Sequence, residues 1–112
     1  MKTAEAVKAL AALAQDTRLA VYRLLVRQGP EGMAAGAIAE SLELPAATLS
    51  FHLKELANAG MAQSRQDGRF VFYSANYDRM NGLLGYLTEN CCQCGPGAAA
   101  CAPGSVPKRR RA

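Results

Sequence analysis

Four cysteines fall within eleven residues near the C-terminal end, Cys91, Cys92, Cys94 and Cys101, and none occurs in the first ninety. Disulfides that stabilise a fold close long loops and join distant segments, so this cluster does not read as a disulfide framework. Crowded thiols suit either a soft ion or the sensing of oxidation. Trivalent arsenic and antimony are soft, carry a lone pair and favour three thiolates in a pyramid. Zn(II) or Cd(II) would take all four cysteines in a closed tetrahedron, and a thiol-redox couple is the third chemistry open to the same residues. Four idle exposed thiols would be a hazard without a use. The lone histidine, His52, is remote in sequence, and no carboxylate pair stands at catalytic spacing, so nothing points to an enzyme.

The elements that must position this cluster belong to a chain of 112 residues, enough for a single domain. Of its hydrophobic residues 22 are alanines, and there is no Trp. Such a core is thin, and a domain of this size buries only about two-thirds of its unfolded surface, so a homodimer is expected. Helical spacing over residues 4–14 places Val7, Leu10, Ala11 and Ala14 on one inward face, with Gln15-Asp16-Thr17 as the break and cap. The next helix carries Leu19, Tyr22, Leu25 and Val26 inward and leaves Arg18, Arg23 and Arg27 in water until Gly29-Pro30 stops it. A short helix over about 34–42 buries Ile38 and Leu42, and Pro45 opens another that runs to about Ala59.

In that helix Leu49, Leu53 and Leu56 form the buried stripe, and Gly60 is the expected left-handed cap. The period then changes to two on either side of Gln66-Asp67-Gly68-Arg69, which predicts a two-stranded ribbon. Residues 77–89 return to helical spacing with Tyr77, Met80, Leu83, Leu84 and Leu87 apolar, and run directly into the cysteines. From Gly95 onward Gly, Pro, Ala and Ser dominate, a composition that cannot bury enough surface to hold a fold.

A short helix, a tight turn, a longer helix and a hairpin with basic residues about its tip make a winged helix-turn-helix, with five helices and a two-stranded β-hairpin wing. Ala46, Ala47 and Thr48 are small enough to bring the start of the reading helix close to DNA, where helix N-H groups favour phosphate. Thr48 and Ser50 then reach bases or phosphates, Lys54 a phosphate, and Arg65 and Arg69 the backbone beside the wing. Two residues stay open on side-chain grounds. Phe51 faces either the hairpin or a thymine methyl, and His52 is read as a packing or capping residue before a base reader. Lys108, Arg109, Arg110 and Arg111 account for the whole net charge of +4, so any basic footprint elsewhere is local. No apolar run is long enough to span a membrane, and the N-terminus lacks the pattern of a secretion signal. A cytoplasmic location is expected.

The stretches DTRLAVYRLLVRQGPEG, LSFHLKELANAGM and GRFVFYSAN together resemble the ArsR/SmtB family of small metal-responsive bacterial repressors, over about residues 5–90. The resemblance implies a homodimer joined through the first and last helices that binds a double-stranded operator palindrome and leaves it when an inducer binds. It maps DNA contacts onto Thr48, Ser50, Phe51, His52 and Lys54, with the wing at Arg65 to Arg69; Ala47 is added as a close-approach position. Many arsenic-responsive members carry paired cysteines after the turn equivalent to Gly29, but this chain reads GMAAGAIAESL there. Zinc-sensing members use Asp and His pairs on the last helix, which here offers Asp78 and Glu89 and no His.

What remains is TENCCQCGPGAAAC, which resembles an arsenic-responsive subgroup with vicinal cysteines at the end of that helix. The expectation is therefore an As(III) or Sb(III) inducer, no organic cofactor, and Cys91 and Cys92 as a fixed pair of ligands with Cys101 or Cys94 as the third. The zinc, cadmium and redox readings use the same thiols. Residues 1–90 form the DNA-binding and dimerisation domain, and 91–112 the inducer segment and basic tail.

Overall fold

A computed structural model describes residues 1–92. Its elements are α1 (Thr3–Leu13), α2 (Asp16–Gln28), β1 (Met33–Ala34), α3 (Ala35–Leu42), α4 (Ala46–Asn58), β2 (Ala62–Asp67), β3 (Phe70–Ala75) and α5 (Tyr77–Thr88). The five helices and the hairpin lie where the sequence places them, and the fold is a winged helix-turn-helix. Two helix starts, those of α2 and α5, follow capping chemistry: the Gln15 side chain accepts from Arg18 N at 2.8 Å, and Asn76 Oδ1 from Arg79 N at 3.1 Å. At the hairpin tip Asp67 pairs with Phe70, so the two turn residues are Gly68 and Arg69, with Gly68 at φ +66°. Positive φ at the first turn position alone is the type II′ pattern, which matches strand twist.

The sheet has three strands, not two, in the order β1-β3-β2, all antiparallel. The extra strand pairs Met33 with Tyr73 and Ala34 with Phe72. Two residues show no period in sequence, which is why it is illegible there. Gly32 makes the approach possible: at φ +79°, any Cβ would stand 2.3 Å from the Tyr73 carbonyl oxygen.

The core is held by Val21, Leu25, Ile38, Leu49, Leu53, Leu56 and Met61, all fully buried. The first helix corrects the expectation. Ala6, Ala9 and Ala12 face inward, whereas Val7 and Leu10 are exposed. Leu19 is also exposed, Val26 and Leu42 are half-buried, and on α5 Leu83 is buried while Leu84 and Leu87 face out. Spacing identifies an apolar face but does not say which of two partners covers it, the rest of the chain or a second copy. The small alanines let α1 lie close against α2 and α4, and the larger side chains stay outside. Two polar contacts set α1 beside α5: Thr3 Oγ1 with the Tyr86 hydroxyl, and Glu5 with Arg79 at 3.5 Å.

Tyr22 is 5% exposed, and its hydroxyl is buried without a hydrogen-bond partner among the described residues. Burial, with a smaller effect from Tyr77 nearby, pushes its pKa up from 10.0 to about 12. The phenol is therefore kept neutral by the fold, and its contribution to stability holds below pH 10 and is lost as pH rises through about 12. Tyr22→Phe is expected to be neutral or to stabilise by up to ~1 kcal/mol, because the orphan hydroxyl disappears, and to flatten the alkaline fall in stability. Urea unfolding of both proteins at neutral and alkaline pH checks this. A loss of more than ~1 kcal/mol at pH 7 would mean that the hydroxyl is satisfied after all.

Candidate nucleic-acid interface

At about 100° per residue, the buried stripe Leu49, Leu53 and Leu56 of α4 puts Phe51 almost diametrically opposite, at the centre of the outer face. Ala47 and Thr48 lie one turn before it and Lys54 one turn after, and all are exposed, as is Ser50. Phe51 itself is 56% exposed. Ser50 stands to one side, where it lines a shallow apolar groove with Ala35, Ala39 and Val71. No side chain caps the start of α4, and its first turn holds no acidic residue. Its leading N-H groups are thus available to an anion.

His52 is not on this face. It is 9% exposed, and its Nδ1 accepts from an Arg18 guanidinium nitrogen at 3.4 Å. Arg18 also donates through Nε to the Ala12 carbonyl at 2.7 Å. His52 is thus a packed side chain in this structure, whereas the resemblance maps a DNA contact onto that position. Arg18 is likewise half-buried rather than wet like Arg23 and Arg27. It joins the end of α1, the start of α2 and the reading helix, a role that the charged periodicity of α2 conceals.

On the wing, Arg65 donates to the Glu31 carbonyl at 2.8 Å and lies 4.8 Å over the Phe72 ring. Part of its donor set is thereby used to hold the wing against the loop after α2, and the remaining N-H groups of the fork stay available. Arg69 occupies the turn and is exposed. The structure thus presents Ala47, Thr48, Phe51 and Lys54 together on one helix face, with Arg65 and Arg69 on the wing.

At the far end, Cys91 N donates to the Thr88 carbonyl at 3.0 Å, so the first cysteine continues directly from α5. Cys91 and Cys92 are half-buried, and Cys92 is disulfide-bonded. Cys94 and Cys101 lie outside the described residues. Among the described residues no group of three His, Cys, Asp or Glu side chains is gathered as a metal would need, and no helix is long and apolar enough to cross a membrane.

Residues 13–65 match the model of a helix-turn-helix domain. The chain is 34% identical over 80 residues to the nodulation protein NolR of Rhizobium meliloti, covering 71% of this chain and 63% of that one. It is 31% identical to a cadmium resistance regulatory protein CadC homolog of Staphylococcus aureus, with 71% and 64% covered. It thus spans a little under two-thirds of these two relatives. With the arsenical resistance operon repressor of Bacillus subtilis it shares 32% identity, with 72% and 73% covered. Among solved structures, HlyU from Vibrio cholerae superposes with a TM-score of 0.62 at 30% identity, over 78% of this chain and 97% of that one. The homodimeric winged helix-turn-helix domain of a possible ArsR-family regulator from Mycobacterium bovis gives 0.63 at 25% identity, over 75% and 82%.

If Lys54 and Arg69 meet phosphates, Lys54→Ala and Arg69→Ala each weaken binding to every duplex alike and reduce the slope of log affinity against log salt by about one. Anisotropy titrations at several salt concentrations measure that slope. An unchanged slope in both variants would remove these residues from the interface.

Proposed function

The chain belongs to the ArsR/SmtB-type DNA-binding transcriptional regulators, which are not enzymes, and on that premise we propose that it represses a metalloid-resistance operon. The apo homodimer holds operator DNA in the cytoplasm, and As(III) or Sb(III) bound at C-terminal thiolates releases it. Residues 1–90 carry DNA binding and dimerisation, and 91–112 carry the inducer site. The observation that carries this reading is the attachment of Cys91 to the last turn of α5, beside the exposed Leu84 and Leu87. An ion held there acts on the same helix that a second copy would cover. The names of two relatives, an arsenical and a cadmium resistance regulator, support a metal or metalloid inducer.

Cys91 and Cys92 suit a soft three-coordinate ion as an adjacent pair of donors once the disulfide at Cys92 is reduced; Cys101 or Cys94 supplies the third. The path to DNA is physical. Tyr77 at the start of α5 donates to the Val26 carbonyl of α2 at 2.9 Å. Asn76 ties the same point to the end of the reading helix, through Nδ2 to Gly60 O at 3.0 Å and its N-H to Met61 O at 2.8 Å. A shift of α5 therefore reorients the reading head. By linkage, operator DNA weakens inducer binding by the same factor. The disulfide at Cys92 favours a second reading, in which oxidation of these thiols is the signal.

Anisotropy of a labelled fragment of the chain's own promoter, titrated with reduced protein at fixed salt and then with As(III), Sb(III), Zn(II) or diamide, tests the proposal. As(III) or Sb(III) is expected to weaken binding about thirtyfold, a coupling of about 2 kcal/mol, and Cys91→Ser and Cys92→Ser to abolish the effect. Unchanged affinity at saturating metalloid contradicts it. Release by diamide alone selects the redox reading, and release by Zn(II) alone a tetrahedral site.

A further inference from the structure

We propose that Phe51 is a specificity-determining residue that reads thymine, packing its ring against the C5-methyl group in the major groove. The inference rests on the DNA-binding reading above and names what the centre of that face selects. Phe51 stands opposite the buried stripe of α4 and is 56% exposed, on a face otherwise made of small and polar residues. Its ring can neither donate nor accept a hydrogen bond, so phosphates and the polar edges of bases offer it nothing. In the major groove the thymine methyl is the distinctive apolar feature of a base pair, and phenylalanine is among the side chains that contact it. Ala47, one turn earlier, adds no bulk that would hold the ring away from the base edge.

The ring is also backed. His52 meets it edge to face, with centroids 5.4 Å apart and planes at 63°. His52 is itself buried and held by Arg18, whose Nε is fixed on the Ala12 carbonyl at 2.7 Å. The side chain next to Phe51 thus connects it to the junction of α1 and α2, and part of the ordering cost of the ring is met before DNA arrives. His52 is a positioning residue in this arrangement and need not touch DNA.

The test selects duplexes from a random-sequence pool with the reduced full chain, then replaces each thymine of a recovered duplex by uracil. Uracil keeps every hydrogen-bonding group and lacks only the methyl. At one pair of symmetric positions uracil is expected to weaken binding about fourfold per half-site, the worth of one buried methyl-sized group. In Phe51→Ala affinity falls and the uracil penalty at that position disappears, while Phe51→Leu keeps part of it. If no thymine is sensitive to uracil, or if the penalty persists in Phe51→Ala, the assignment is overturned. If the pool yields no duplex at all, the DNA-binding reading falls with it, an outcome distinct from the other two.

Discussion

The close packing of an alanine-faced first helix governs the rest of this molecule. Ala6, Ala9 and Ala12 bring α1 against α2 and α4, and the cost is that Val7 and Leu10 point outward, as do Leu84 and Leu87 on the adjacent α5. Fully burying a side chain of this size is worth about 1.5–3 kcal/mol. Covering four of them is a substantial drive toward association for so small a core. The solved Mycobacterium bovis domain of the same fold is homodimeric.

In the proposed function the same constraint makes α5 the element through which the inducer acts on DNA binding. Its start is fixed to α2 by Tyr77 and to the end of the reading helix by Asn76, its flank to α1 by Arg79 and Glu5, and its end leads into Cys91. A helix held at its start and exposed along one face can take two positions only if what covers that face allows both. Coupling of this kind needs such a two-position element, and contiguity alone does not supply one. In the proposed mechanism a homodimer supplies it.

Much of this was legible in the sequence, and the misses share a cause. Leu49, Leu53 and Leu56 fix the buried side of the reading helix by spacing alone, and Asp67-Gly68 marks the hairpin to within one residue. Val7, Leu10 and Leu19 were expected inside because periodicity reports an apolar face and not its partner. Arg18 was expected in water because a charge on a helix carries no record of the carbonyl or imidazole waiting across a groove. β1 is two residues long and owes its pairing to Gly32, whose missing Cβ shows its purpose only once Tyr73 is in place. Of the proposed inducer site, Cys91 and Cys92 follow directly from α5, while Cys94 and Cys101 lie outside the described residues.

The central claim is that the outer faces of α1 and α5 are completed by a second copy and that DNA binding depends on it. Sedimentation equilibrium of the reduced protein, alone and with a bound duplex, tests this most directly when run beside Leu84→Glu, with circular dichroism to show that the helices persist. The account predicts a dimer that binds as a dimer, and a folded Leu84→Glu monomer with at least a tenfold loss of affinity, about 1.4 kcal/mol. A wild-type monomer across the concentration range, or a Leu84→Glu monomer that binds the duplex as tightly as the parent, would contradict it.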